Sequence, residues 1–191
     1  MIIGIDPGAS GGIAYTPNWQ RTIDQGGYIA PQVMKIEPND SKLLGQLRHI
    51  KEIEPDCVCF IEKVQMFKSD MGNRKGKKGA DQKGDFKAFA IQKMLAQKER
   101  TKALMISAGI DFIEVHPKTW QARLNLTRKG WEKLKRKRLY KHFAGQTFPG
   151  LKATMWNADA LCLVAFAIHM AKHDPDWIRE RMPPDEIDLF S

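Results

Sequence analysis

The order of its apolar segments predicts that this chain folds as an α/β protein, a mixed central β-sheet flanked by α-helices. Three observations carry the prediction. Two short apolar runs, IIGID at 2–6 and GGIAY at 11–15, are separated by Pro7-Gly8 and read as a hairpin. CVCFIE at 57–62 is a continuous apolar run and reads as a buried strand. After it, segments at helical spacing alternate with a further short strand, which suits parallel pairing.

In chain order, residues 28–36 are a weaker strand candidate. Ser41 then reads as the N-cap of a helix carrying Leu43, Leu44, Leu47 and Ile50 on one side and ending before Pro55. Residues 63–83 are rich in Gly and Lys, lack periodicity and read as a loop. Helical spacing returns over 84–107, with Phe86, Phe89, Ala90, Met94 and Leu104 near one face. DFIEV at 111–115 is a strand closed by His116-Pro117. Residues 130–143 form a basic helix whose apolar side is Trp131, Leu134 and Leu139, and 157–172 form a very apolar one. From residue 173 the chain carries Pro175, Pro183 and Pro184 and turns acidic. The expected division is one domain over 1–172 and a tail over 173–191, with no internal repeat.

A chain of 191 residues, 42% hydrophobic and 28% charged, is long enough to bury a core and reads as soluble and globular. The net charge of +9 and pI near 9.5 point to a polyanionic partner, with a solubility surface as the plain alternative. Cys57, Cys59 and Cys162 lie in apolar runs without a CxxC pair, which favours buried thiols over disulfides or a zinc site. No signal-peptide pattern opens the chain and no apolar run has transmembrane length. The expected location is the cytoplasm, without a membrane partner.

Three acids stand where packing does not ask for them. Asp6 ends the first strand, Glu62 ends the buried strand, and Asp159 begins the apolar helix. Singly, each has an ordinary reading: a turn former, a solvated strand end, a helix-dipole partner. Gathered together they would repel, by roughly 4 kcal/mol per pair about 4 Å apart at an effective dielectric near 20, unless a cation or a proton intervened. Hard oxygen donors without a Cys or His pattern select Mg²⁺, with Mn²⁺ as a substitute, and two such ions can hydrolyse a phosphodiester.

The motifs around these acids resemble a known family. MIIGIDPGASGGIAY is similar to the opening of RuvC-type Holliday junction resolvases, FIEKVQMF to their second acidic strand, IDFIEVHPKTWQ to the strand and turn before their later helices, and NADALCLVAFA to their final helix. The resemblance spans roughly 1–172 and is closest to the phage branch. It implies an RNase H-like fold, a homodimer, catalytic and metal-binding roles for Asp6, Glu62 and Asp159, about two Mg²⁺ ions per site, and paired nicking of four-way junctions. One departure stands out. The family has a further Asp or His about one turn before the final Asp, where this chain has Thr154, Met155, Trp156 and Asn157. Asn157 offers a carbonyl oxygen as a fourth ligand, but its ordinary role is a helix N-cap.

Cations for DNA fall in two places. Lys68, Arg74, Lys75, Lys77, Lys78 and Lys83 follow the second acidic strand among glycines, and Phe67 near the loop's start is a candidate wedge for an opened junction centre or a core contact. Lys135, Arg136 and Arg138 lie on the basic helix with Lys133, Lys137 and Lys141, and Lys118 follows His116-Pro117. His116 reads as a structural histidine more than a proton carrier. The closing EIDLF resembles peptides that dock on the bacterial sliding clamp through residues equivalent to Ile187, Leu189 and Phe190; a packed or disordered end is the alternative. Competing functions are an RNase H-like nuclease for other branched DNA or RNA–DNA hybrids, and a junction-binding protein without catalysis. A sugar-kinase fragment fails on length and lacks a second Gly-rich phosphate loop.

Overall fold

A computed structural model describes residues 1–8, 11–17, 30–63, 81–128 and 130–182. The chain runs β1 (Ile2–Ile5), β2 (Gly12–Thr16), β3 (Gln32–Lys35), α1 (Asp40–Ile53), β4 (Val58–Glu62), α2 (Asp81–Ser107), β5 (Asp111–Val115), α3 (Pro117–Arg123), α4 (Lys133–Thr147), α5 (Ala158–His173) and α6 (Pro175–Arg179). The strands form one sheet in the order β3-β2-β1-β4-β5. β2 is antiparallel to β1 and β3, while β1, β4 and β5 run parallel. The expected mixed α/β architecture is therefore present.

Strand alternation divides the core in two. Ile2, Ala14, Val58, Phe60, Ile113 and Val115 face α3, α4, α5 and α6. Ile3, Ile5, Ile13, Cys59 and Ile61 face the other way, against Leu43, Leu47 and Ile50 of α1 and Met105 of α2. A sheet covered on both faces explains why β1 and β4 read as unbroken apolar runs. α5 lies across β1 and β2, with twelve of its sixteen residues buried, and is the helix around which that side is built. All three cysteines are buried. Among the described residues, no helix is long and apolar enough to cross a membrane.

Several local expectations need correction. Asn39, not Ser41, caps α1, its Oδ1 accepting the Lys42 N–H at 3.0 Å. Leu44 is only partly buried, beside the fully buried Leu43 and Leu47. The inward face of α2 is not the apolar stripe through Phe89 and Met94, which are exposed; it is Lys98, Thr101 and Met105. Lys98 tolerates burial because Glu114 of β5 pairs with it at 3.2 Å and Glu99 at 3.0 Å, so an ion pair stands where apolar contact was expected. On α4, Leu134 is exposed and the helix docks instead through Tyr140 and Ala144. Within residues 174–182, Ile178 and Met182 are buried in the α5 core and Trp177 packs edge-on to Phe166 at 5.4 Å.

Candidate active site

Sheet register brings the first two acids together. β1 and β4 pair Ile5 with Ile61, so the next residues, Asp6 and Glu62, leave adjacent parallel strands at the same end of the sheet. Alternation sends Ile2, Val58 and Phe60 toward α5, and Asp6 and Glu62 continue that series. Asp159 lies in the first turn of α5, which crosses this face of β1. The crossing is close because Gly4 has no side chain: a Cβ there would lie within contact distance of the Ala160 carbonyl oxygen and at 3.0 Å from Val164. The three acids of the sequence argument thus come from β1, β4 and α5 and meet electrostatically at one sheet end.

The Pro-Gly turn fixes Asp6. Gly8 N–H donates to Asp6 Oδ1 at 3.0 Å, Gly11 N–H to the Gly8 carbonyl at 2.8 Å, and Asp6 N–H to the Gly12 carbonyl at 3.1 Å. A Cβ at Gly11 would collide with the Asp6 carbonyl, so glycine is required for close approach there. Glu62 is oriented by Trp120, whose indole N–H donates to Oε2 at 3.2 Å. Lys137, reaching in from α4, forms an ion pair with Asp159 and lies 3.7 Å from Asp6 Oδ2.

These groups set one another's ionisation. Burial, then the charges of Asp6 and Asp159, push Glu62 up to about 8, against the pull of Lys137 and the Trp120 hydrogen bond. Burial and Asp6 push Asp159 up to about 6, again opposed by Lys137. Burial disfavours the Lys137 ammonium, but Asp159 and Asp6 outweigh it and hold its pKa above the ordinary lysine value. Burial and Asp159 take Tyr140 to about 12. A carboxyl that keeps its proton at neutral pH beside two others marks a centre short of positive charge.

That shortage is the test of fit for a divalent cation. Asp159 Oδ1 is buried without a hydrogen-bond partner. The donors are hard carboxylate oxygens, suited to Mg²⁺ or Mn²⁺. Among the described residues no three His, Cys, Asp or Glu side chains stand as a ready-made chelate; the Lys137 ammonium takes a cation's place against Asp159 and Asp6. Asp6, Glu62 and Asp159 supply the hard oxygens such an ion would need, with the ammonium standing among them.

Asn157 is buried, and both ends of its amide meet backbone groups. It occupies the N-cap position of α5 but does not cap it; Oδ1 accepts the Thr154 N–H at 2.6 Å and Nδ2 donates to the Lys152 carbonyl at 3.3 Å. Lys118 on α3 and Lys135, Arg136 and Arg138 on α4 are exposed, and Lys135 lies over the Trp131 ring at 4.3 Å. Phe67, Lys68, Arg74, Lys75, Lys77 and Lys78, the side chain of Lys83, and Ile187, Leu189 and Phe190 lie outside the described residues. Two residues of the cluster escaped sequence reasoning. Lys137 was one cation among many on a basic helix, and Trp120 stood inside IDFIEVHPKTWQ without a role of its own. The available signal for Lys137 was Tyr140, three residues on: the residue that docks α4 puts Lys137 on the same face.

Replacing Trp120 by Phe tests the orientation of Glu62. Loss of the N–H removes a downward pull on the Glu62 carboxyl, so its titration, followed by NMR of carbon-labelled glutamate, should move to higher pH. An unchanged titration would mean that Trp120 acts only by packing.

No protein-family model and no curated protein sequence matches the chain. Among solved structures it is similar to Thermus thermophilus RuvC in complex with a Holliday junction substrate, at 14% identity over 91% of this chain and 96% of that chain, TM-score 0.49. It is also similar to a second Thermus thermophilus RuvC structure, at 15% identity over 90% and 95%, TM-score 0.48. At that level of likeness the site has to be judged on its own geometry.

Proposed function

We propose that this chain is a divalent-metal-dependent endonuclease acting on branched DNA, with the four-way junction as substrate and two copies making paired nicks. The observation that carries the reading is the carboxylate cluster itself: Asp6, Glu62 and Asp159, brought from three elements to one sheet end, with Glu62 pushed up to about 8 by burial and by the charges of its two neighbours. The substrate comes from the motifs GIDPG, FIEKVQMF, IDFIEVHPKTWQ and NADALCLVAFA, which resemble those of junction resolvases in the same order.

In this reading Asp6 and Asp159 hold the ion, and Glu62, steered by Trp120, completes its environment. A bound Mg²⁺ supplies charge neutralisation at the scissile phosphate and polarises the attacking water. Lys118, Lys135, Arg136 and Arg138 bind flanking phosphates, positioning the duplex arms without reading bases. Lys68 to Lys83 extend the same electrostatic role, and Phe67 is proposed to enter the junction centre. Ile187, Leu189 and Phe190 remain a proposed docking peptide for a sliding clamp.

A junction-binding protein without catalysis is the second reading, favoured by the ammonium on Asp159 and by the closed-off side chain of Asn157. Labelled four-way junctions, linear duplexes and RNA–DNA hybrids incubated with Mg²⁺ or Mn²⁺ separate the two. The expected result is paired nicks near the branch point, lost with EDTA, and intact linear DNA. Binding without nicks in either metal supports the second reading, and cutting of hybrids alone reassigns the substrate.

A further inference from the structure

The ligand inventory at the carboxylate centre is short for two ions. Its donors are three carboxylates. One turn before Asp159, Met155 is partly exposed and apolar, and Trp156 lies against Gly12 of β2, where a Cβ would come within 2.9 Å of its ring. Asn157 has both ends of its amide engaged on backbone groups. No further carboxylate or imidazole stands there: Thr154 offers only a neutral hydroxyl, buried without a hydrogen-bond partner, and Lys35 approaches the same indole at 5.8 Å.

A cation is nevertheless built in. Lys137 pairs with Asp159 and stands 3.7 Å from Asp6. Packing holds it there. Tyr140, on the same face of α4, is buried, stacks edge-on against Trp120 at 5.0 Å, and offers its carbonyl to the Cys162 thiol at 3.8 Å. With all three carboxylates ionised, as a bound ion would draw them, and one ammonium beside them, two negative charges remain, which a single divalent ion neutralises. A second ion would overshoot and would lie against an ammonium that cannot leave without unpairing Asp159.

We propose that the centre works with one divalent ion, and that the Lys137 ammonium holds the place a second ion would take. This rests on the nuclease reading above and refines it. The carboxylates of Asp6, Glu62 and Asp159 would hold that ion, and Lys137 stays beside Asp159 and Asp6, presenting positive charge to the phosphate. Its role is electrostatic and involves no proton transfer.

The test counts ions rather than products. Mn²⁺ is titrated into the full chain and followed by electron paramagnetic resonance, alone and with a four-way junction of phosphorothioate-linked DNA. Wild type, Lys137→Met and Lys137→Arg are compared, with melting curves to confirm that each is folded. The expected result is one Mn²⁺ per chain in wild type and Lys137→Arg. Lys137→Met should take up a second ion, or bind the first about tenfold more tightly, because a resident like charge has gone. Two spin-coupled ions in the wild type would overturn the proposal and leave the nuclease reading standing. So would a Lys137→Met variant with the wild-type count and affinity. No Mn²⁺ in any form would remove both.

Discussion

Glu62→Gln is expected to abolish metal-dependent cleavage while leaving the metal-free protein as stable as wild type or more so. The loss should be on the order of a thousandfold, since a ligand that helps hold the ion controls several kcal/mol of transition-state charge stabilisation and each 1.4 kcal/mol is tenfold. The stability effect has a definite sign. The folded Glu62 pKa is raised to about 8 from its ordinary 4.5, so the native state holds a proton that the unfolded chain has lost. Native stability therefore declines as pH rises from about 4.5 through about 8, and the full penalty is present above 8. Glutamine carries no charge to desolvate and keeps an oxygen for the Trp120 N–H. The difference in melting temperature should be near zero at pH 4 and grow in favour of the variant up to about pH 8. With saturating Mg²⁺ it should reverse, because the ion stabilises only the chain that binds it. A variant less stable at every pH without metal would show that Glu62 supports the fold and would remove the main sign of a cation-deficient centre.

The sequence discloses most of this centre for a structural reason. Parallel strands in register put side chains of equal parity on one face, so Asp6 after IIGI and Glu62 after VCFI share a sheet end and a side whenever the two runs pair Ile5 with Ile61. The apolar run after Asp159 identifies a helix buried along its length, and such a helix has to cross the sheet. What the chain does not disclose is how exposed helices rotate. α2 and α4 carry apolar residues on several sides, and their inward faces are settled by partners distant in sequence: Glu114 for Lys98, Trp120 for Tyr140. Lys137 follows from that rotation, which is why a basic helix could be recognised without showing which cation enters the site. The Asn39 cap was missed for a smaller reason, since Asn39, Asp40 and Ser41 are all good caps and only the backbone decides among them.

Gly4→Ala should damage both fold and activity, although it adds a single methyl group at a residue that touches no substrate. The methyl would point from β1 into α5, where the nearest atom is the Ala160 carbonyl oxygen and the next belong to Val164. A side-chain neighbour can rotate away, but a helical carbonyl moves only with its helix. Overpacking of this kind costs about 1–3 kcal/mol, and a backbone obstacle puts Gly4 at the upper end. The displaced segment includes Asp159, one residue from Ala160, so the carboxylate separates from Asp6 and Glu62. A misplacement of about 1 Å in a catalytic group lowers rate on the order of a hundredfold. Gly45→Ala is the internal control: Gly45 lies on the exposed side of α1 with nothing within 4 Å of an added Cβ. There alanine should stabilise by up to about 1 kcal/mol through helix propensity and leave cleavage unchanged. Adding Val164→Ala to Gly4→Ala should recover only part of the loss, because the Ala160 carbonyl remains in the way. Full recovery of melting temperature and of Mn²⁺ affinity in that double variant would show that the contact between β1 and α5 is set by side chains, and that the backbone of the helix is free to carry Asp159 elsewhere.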